Sequence, residues 1–95
     1  MPTLQIVEGP GEGRVFGISG DAVIGREGTC AVRLEDSLAS RAHAEIRKDG
    51  PDRYSIRDRE SSNGTLLNGR RLAAWETLRD GDEVRIGQTK MTFAL

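Results

Sequence analysis

Asp58-Arg59-Glu60-Ser61-Ser62-Asn63-Gly64-Thr65-Leu66-Leu67-Asn68-Gly69 carries two Asn-Gly pairs with a short apolar piece between them. Asn and Gly both tolerate positive φ, so the pair is a strong turn signal. The stretch therefore predicts a strand ending near Asp58, a turn, a short strand over Thr65-Leu66-Leu67 and a second turn at Asn68-Gly69. Ser61 to Thr65 also holds more hydroxyls, amides and backbone N–H groups than a simple reversal needs. Such loops can hold an anion.

Outward from this stretch the chain reads as more short strands. Thr3 to Val7, Arg14 to Ile18 and Ala22 to Ile24 come first, the second pairing back on the first as a hairpin. Cys30 to Leu34 alternates with Val32 and Leu34 inward; Ala42 to Lys48 alternates with Ala42, Ala44 and Ile46 against His43, Glu45 and Arg47. Arg53 to Asp58 places Tyr54 and Ile56 inward. After the double turn come Arg70 to Leu72, a short Glu76-Thr77-Leu78 piece, Glu83 to Ile86, and Thr89 to Leu95 with Met91, Phe93 and Leu95 inward. Ala73-Ala74-Trp75 has no clear pattern. Ten or eleven short strands between Gly, Asp and Asn turns, with no helical period, predict an all-β, mainly antiparallel sandwich. The last strand is expected beside the first.

Ninety-five residues suit one domain, residues 1–95. The chain starts and stops close to its first and last strands and reads as a module of a larger protein, although a small free-standing protein would look the same. A net charge of −1 argues against a general nucleic-acid binder. The single cysteine, Cys30, allows no disulfide within the chain and fits a reducing compartment. Beside Ala31 and Val32 it reads as a small core residue rather than a reactive thiol. No apolar run is long enough to predict a membrane span, and no signal peptide opens the chain.

Glu8-Gly9-Pro10-Gly11-Glu12-Gly13 invites a phosphate-loop reading, but no Gly-Lys-Ser/Thr and no helix pattern follow it. Arg26 follows a glycine at a strand end. It is either a surface arginine lying over the core edge or an anion ligand, since a guanidinium matches phosphate oxygens bidentately. Ser40, Arg41 and His43 sit at a loop-to-strand junction. A Ser/His pair suggests a nucleophile, yet no elbow glycines surround Ser40 and nothing is placed to orient His43. A histidine there more often ties a loop down by hydrogen bonds. One histidine and one distant cysteine give poor support for a metal site. No cofactor is indicated.

These pieces together resemble the forkhead-associated (FHA) domain family. The resemblance rests on Gly25-Arg26, on Ser40-Arg41-Ala42-His43-Ala44-Glu45-Ile46, and on Asp58 followed by Ser61-Ser62-Asn63-Gly64-Thr65 and Asn68-Gly69. It covers essentially the whole chain. It implies an eleven-stranded FHA/SMAD-like β-sandwich whose loops at one end bind phosphothreonine peptides. Carried over, it implies Arg26, Ser40, Arg41 and Ser62 as phosphate ligands and Asn63 as a ligand of the peptide backbone. Gly25, His43, Ser61, Gly64, Thr65, Asn68 and Gly69 would shape the loops. Ser62 stands where threonine is common, and Glu60 where glycine or a small residue is common. The implied partner is a phosphothreonine-containing protein, in trans or from the same polypeptide, in a Ser/Thr-kinase pathway of the cytoplasm or nucleus. No enzyme activity, nucleic acid or membrane partner is implied.

A second reading is a phosphate-independent assembly module that docks a protein on a sheet face or near Trp75. The only tryptophan lies in an apolar patch with Leu72, Ala73 and Ala74. Its blander interpretation is a partly buried cap on the core.

Overall fold

The computed structural model describes residues 1–95. Eleven strands run in order: β1 (Thr3–Glu8), β2 (Val15–Gly17), β3 (Ala22–Gly25), β4 (Val32–Arg33), β5 (Ala44–Gly50), β6 (Arg53–Asp58), β7 (Leu66–Leu67), β8 (Arg70–Arg71), β9 (Glu76–Leu78), β10 (Glu83–Ile86) and β11 (Thr89–Ala94). They form two sheets, ordered β2-β1-β11-β10-β7-β8 and β4-β3-β5-β6-β9. The expected eleven-stranded sandwich is present, with β1 and β11 antiparallel neighbours. No helix is long and apolar enough to cross a membrane.

Alternation places the core. Leu4 and Ile6 of β1, Ile24 of β3, Ile46 of β5, Ile56 of β6, Val84 and Ile86 of β10, and Met91 and Phe93 of β11 are all buried between the sheets. Burying such a side chain contributes about 1.5–3 kcal/mol, so this layer carries the fold. Tyr54 and Phe93 meet across it with ring centroids 6.0 Å apart.

Several local expectations change. The strand expected over Cys30 to Leu34 shortens to Val32–Arg33 and runs parallel to β3. Cys30 is only half-buried and is not a core residue; its thiol points to the Arg41 carbonyl at 3.3 Å. Burial nonetheless pushes this thiol up from its ordinary pKa. Leu95 is exposed because β11 ends at Ala94. The strand expected from Ala42 begins at Ala44, because His43 turns inward.

One buried carboxylate joins the sheets near the loop end. Asp36 Oδ1 accepts from the Leu38 N–H at 2.9 Å, and Oδ2 accepts from the Gln88 N–H at 2.7 Å and the Thr89 hydroxyl at 2.8 Å. It thereby fixes the β4–β5 loop against the β10–β11 turn. Gly87 in that turn has a φ of +58°, and a side chain there would meet the Asp36 carboxylate at 2.8 Å. Burial pushes the Asp36 carboxyl up, but the bonds from Leu38, Thr89 and Gln88 outweigh it and hold the group below the usual carboxylate range. Asp36→Ala strands the Gln88 and Thr89 donors. It is expected to destabilise the domain by about 2–4 kcal/mol, read as a lower denaturant midpoint at neutral pH.

Candidate functional site

Three loops meet at one end of the sandwich: residues 26–31 after β3, residues 34–43 between β4 and β5, and residues 59–65 between β6 and β7. Each is tied to its neighbours by named bonds. The first two approach so closely that Gly25 has no room for a side chain; a Cβ there would lie 2.1 Å from the Arg41 carbonyl oxygen. That same oxygen accepts the Glu27 N–H at 3.2 Å. The Arg26 N–H donates to the Ser40 carbonyl at 3.1 Å, and Arg26 Nε donates to the Ala39 carbonyl at 3.0 Å. The Arg26 stem is thus anchored, while its terminal nitrogens have no partner within the chain.

His43 joins the second loop to the third. Its ring is fully buried. Nδ1 accepts the Ser40 N–H at 2.9 Å, so Nδ1 carries no proton. Nε2 therefore carries the proton and donates to the Gly64 carbonyl at 2.8 Å. Both ring nitrogens are committed to backbone, which gives the physical reason for the loop-tying role implied by the resemblance. Two lighter bonds reinforce the join: the Ser62 N–H reaches the Ser40 hydroxyl at 3.3 Å, and Asn63 Nδ2 donates to the Leu38 carbonyl at 2.8 Å.

Asp58 shapes the third loop from below. Its Oδ1 accepts the Ser61 and Thr65 hydroxyls at 2.5 and 2.7 Å, and its Oδ2 accepts the Ser61 N–H at 2.9 Å. The Ser61 oxygen in turn accepts the Gly64 N–H at 2.9 Å. Gly64 has a φ of +81°, and a Cβ there would lie 2.8 Å from Arg71 Nε. Burial raises the Asp58 carboxyl, but the Ser61 and Thr65 bonds overcome this and leave it below the usual range. Glu60 adopts a φ of +54°, the left-handed region. This accounts for the small residue or glycine that the resemblance leads one to expect there: a side chain in that conformation costs roughly 1–2 kcal/mol.

Ser61, Gly64 and Thr65 thus build the loop, and Arg26, Ser40, Arg41, Ser62 and Asn63 crown it. Arg41, Ser62 and Asn63 are exposed. The Arg41 guanidinium, the Ser62 hydroxyl and Asn63 Oδ1 have no partner within the chain. The three joined loops thus carry two guanidinium groups, two hydroxyls and an amide, groups suited to a tetrahedral anion on an extended chain. Glu27 and Glu60 are exposed on the same loops.

Asn68 and Gly69 do not join this group. They form the β7–β8 turn at the far end of β7, with φ values of +51° and +84°. Asn68 there exchanges bonds with Asp82 and Glu83. The residue that sequence reasoning left out of the site is Asp58; its place three and seven positions before Ser61 and Thr65 was the available signal. Trp75 is half-buried on the outer face of the five-stranded sheet. Arg47 and Arg57 lie over its ring at 4.0 and 5.0 Å, so cations cover its outer side.

The family model for the FHA domain matches residues 22–87, and the chain belongs to that family. It is 38% identical over 90 residues to the FHA domain-containing protein FhaA of Mycobacterium tuberculosis, covering 94% of this chain and 16% of FhaA. It is 35% identical over 91 residues to the oxoglutarate dehydrogenase inhibitor of Corynebacterium jeikeium, covering 95% of this chain and 62% of that protein. The chain thus spans less than two thirds of either relative. A structure solved in an analysis of phosphothreonine-dependent FHA domain interactions superposes with a TM-score of 0.87 at 35% identity, covering 99% of this chain and 95% of that one.

His43→Ala removes the bridge and strands the Ser40 N–H and the Gly64 carbonyl. It is expected to cost about 2–4 kcal/mol and to abolish hydrogen-exchange protection of the Ser40 amide. The Asp58 carboxyl titrates below its unfolded value when folded. Its stabilisation is therefore complete above the unfolded value of about 3.9 and is lost as pH falls through the lower folded value. Denaturation midpoints measured from neutral pH into this acid range will show a shallower decline for Asp58→Asn than for the parent.

Proposed function

We propose that this domain recognises phosphothreonine-containing peptides and performs no catalysis. What supports the reading is that Arg26, Ser40, Arg41, Ser62 and Asn63 lie on three loops tied together at one end of the sandwich, with the Arg26 terminal nitrogens, the Arg41 guanidinium, the Ser62 hydroxyl and Asn63 Oδ1 free of partners within the chain. Phosphothreonine brings about −1.5 to −2 charges and three acceptor oxygens. Arg26 and Arg41 donate to these oxygens with the Ser40 and Ser62 hydroxyls, and Asn63 Oδ1 accepts a backbone N–H of the peptide. A charge-assisted bond nets roughly 1.5–3 kcal/mol, part of which offsets the ordering of the peptide. A micromolar dissociation constant, about −8 kcal/mol, follows. The relative solved for its phosphothreonine-dependent interactions supports the same reading.

A hydrolytic alternative needs His43 as a base. Its acceptor nitrogen already holds the Ser40 N–H and its donor nitrogen the Gly64 carbonyl, so it has no lone pair for a substrate. The domain acts as the intracellular reader of a Ser/Thr-kinase pathway and as one module of a larger protein. Phosphate-independent docking near Trp75 is the competing account. A pocket of about 480 Å³ beside that ring favours it, but the pocket wall alternates Asp21 and Glu45 with Arg47 and Arg57 and selects no single charge.

Arg26→Ala is expected to weaken binding of a phosphothreonine peptide at least 30-fold, about 2 kcal/mol or more, with an unchanged melting temperature. Calorimetric titration checks this. A variant that binds as tightly as the parent, or partner binding that survives phosphatase treatment, contradicts the proposal.

A further inference from the structure

The six-stranded sheet ends on β2, and this edge is unlike the other three. Free N–H and C=O groups at a sheet edge recruit another strand, and charged side chains are a common guard against it. β8 is Arg70–Arg71, β4 carries Arg33 and β9 carries Glu76. β2 is Val15-Phe16-Gly17, with neither charge nor proline. The outward rows beside it, Val15–Gln5–Thr92 and Gly17–Thr3–Ala94, are uncharged too. They are so in a chain of which 31% is charged. Val15 is 57% exposed, and Val7 of β1 is also exposed.

The bonds to β1 show which backbone groups of this edge are free. The Ile18 N–H donates to the Pro2 carbonyl at 2.8 Å, and the Ile6 N–H to the Arg14 carbonyl at 2.9 Å. Antiparallel neighbours bond at every second residue, so residues 14, 16 and 18 face β1. Val15 and Gly17 therefore turn their N–H and C=O groups away from the sheet.

A second β2 matches this pattern. A two-fold axis through Phe16 sets Val15 of each copy opposite Gly17 of the other. Each such pair exchanges N–H and C=O bonds in both directions, so every free group of the edge gains a partner. The side chains fit as well. Opposed residues share a face, so Val15 of one copy lies over Gly17 of the other, which has no side chain. Met1 borders that place, since a Cβ on Gly17 would lie 2.8 Å from its sulfur. The two Phe16 rings meet at the axis, where aromatic cross-strand pairs are favourable. Each Arg14 guanidinium lies 5.0 Å from its own Phe16 ring. In this register it falls opposite Ile18, so the arginines of the two copies stay apart.

We propose that the β2 edge is a homodimer interface, at which two copies of this chain pair antiparallel through Val15-Phe16-Gly17 into one continuous sheet. The contact is small. It falls short of the roughly 1,200 Å² of a standard interface, which sets a weak dissociation constant of about 0.1–1 mM. The dimer then forms where copies are held close together on one assembly. The inference is independent of the phosphothreonine reading, because no β2 residue belongs to the three joined loops.

Sedimentation equilibrium tests it. The average mass is expected to rise from one chain at ~10 µM toward two at ~1 mM by mass action. Over that range the Val15 and Gly17 amides should exchange at least about twofold more slowly, while the Phe16 amide, already bonded to β1, stays as it is. Val15→Lys puts a charge into the pairing row at an exposed position and is expected to hold the chain at single-copy mass throughout. Thr77→Lys, on the β9 edge, is expected to leave the dimer intact. A single-chain mass at the highest concentration overturns the proposal. So does dimerisation that survives Val15→Lys or is lost equally in Thr77→Lys, and so does a dimer whose Val15 and Gly17 amides exchange as in the monomer.

Discussion

The buried imidazole of His43 is the constraint on which the binding end depends. It takes a proton-bearing backbone nitrogen from one loop and gives its own proton to a backbone carbonyl of another. Loops are ordinarily the most mobile parts of a β-sandwich. Here the two that must act together share one ring with no freedom left in its tautomer. Anything that binds across Ser40 and Ser62 meets donors already in place, and little ordering of the protein is required at the moment of binding.

The rest of the end is arranged in tiers below and above that ring. Asp58 collects the Ser61 and Thr65 hydroxyls and sets the curve of the third loop. Asp36, within the β4–β5 loop, ties that loop to the β10–β11 turn of the other sheet. Each of these carboxylates accepts three hydrogen bonds from neutral donors. The exposed charges elsewhere follow a different logic. Arg57 pairs with Glu45, and Arg70 with Glu76. Several of the acidic residues are thus held in pairs away from the joined loops.

Much of this was legible in the sequence. Period-two alternation over β1, β5, β6, β10 and β11 gave the sandwich, and the Asn-Gly pairs gave both turns. The resemblance to FHA domains pointed to Arg26, Ser40, Arg41, Ser62 and Asn63, which lie on the three loops that meet at one end. Alternation failed at Ala42-His43, because a polar ring with two good hydrogen bonds can be buried where phase alone predicts exposure. It failed at Cys30, where a small apolar neighbourhood in sequence is a loop in space. The loop-shaping role that the resemblance implied for Asn68-Gly69 falls on the β7–β8 turn, at the opposite end of the two-residue β7.

Amide chemical-shift mapping during titration with a phosphothreonine peptide tests the central claim most directly. The account predicts that the largest changes fall on Arg26, Ser40, Arg41, Ser62 and Asn63, with the unphosphorylated peptide moving none of them. Changes centred on Trp75, Arg47 and Arg57, equal for both peptides, would contradict it.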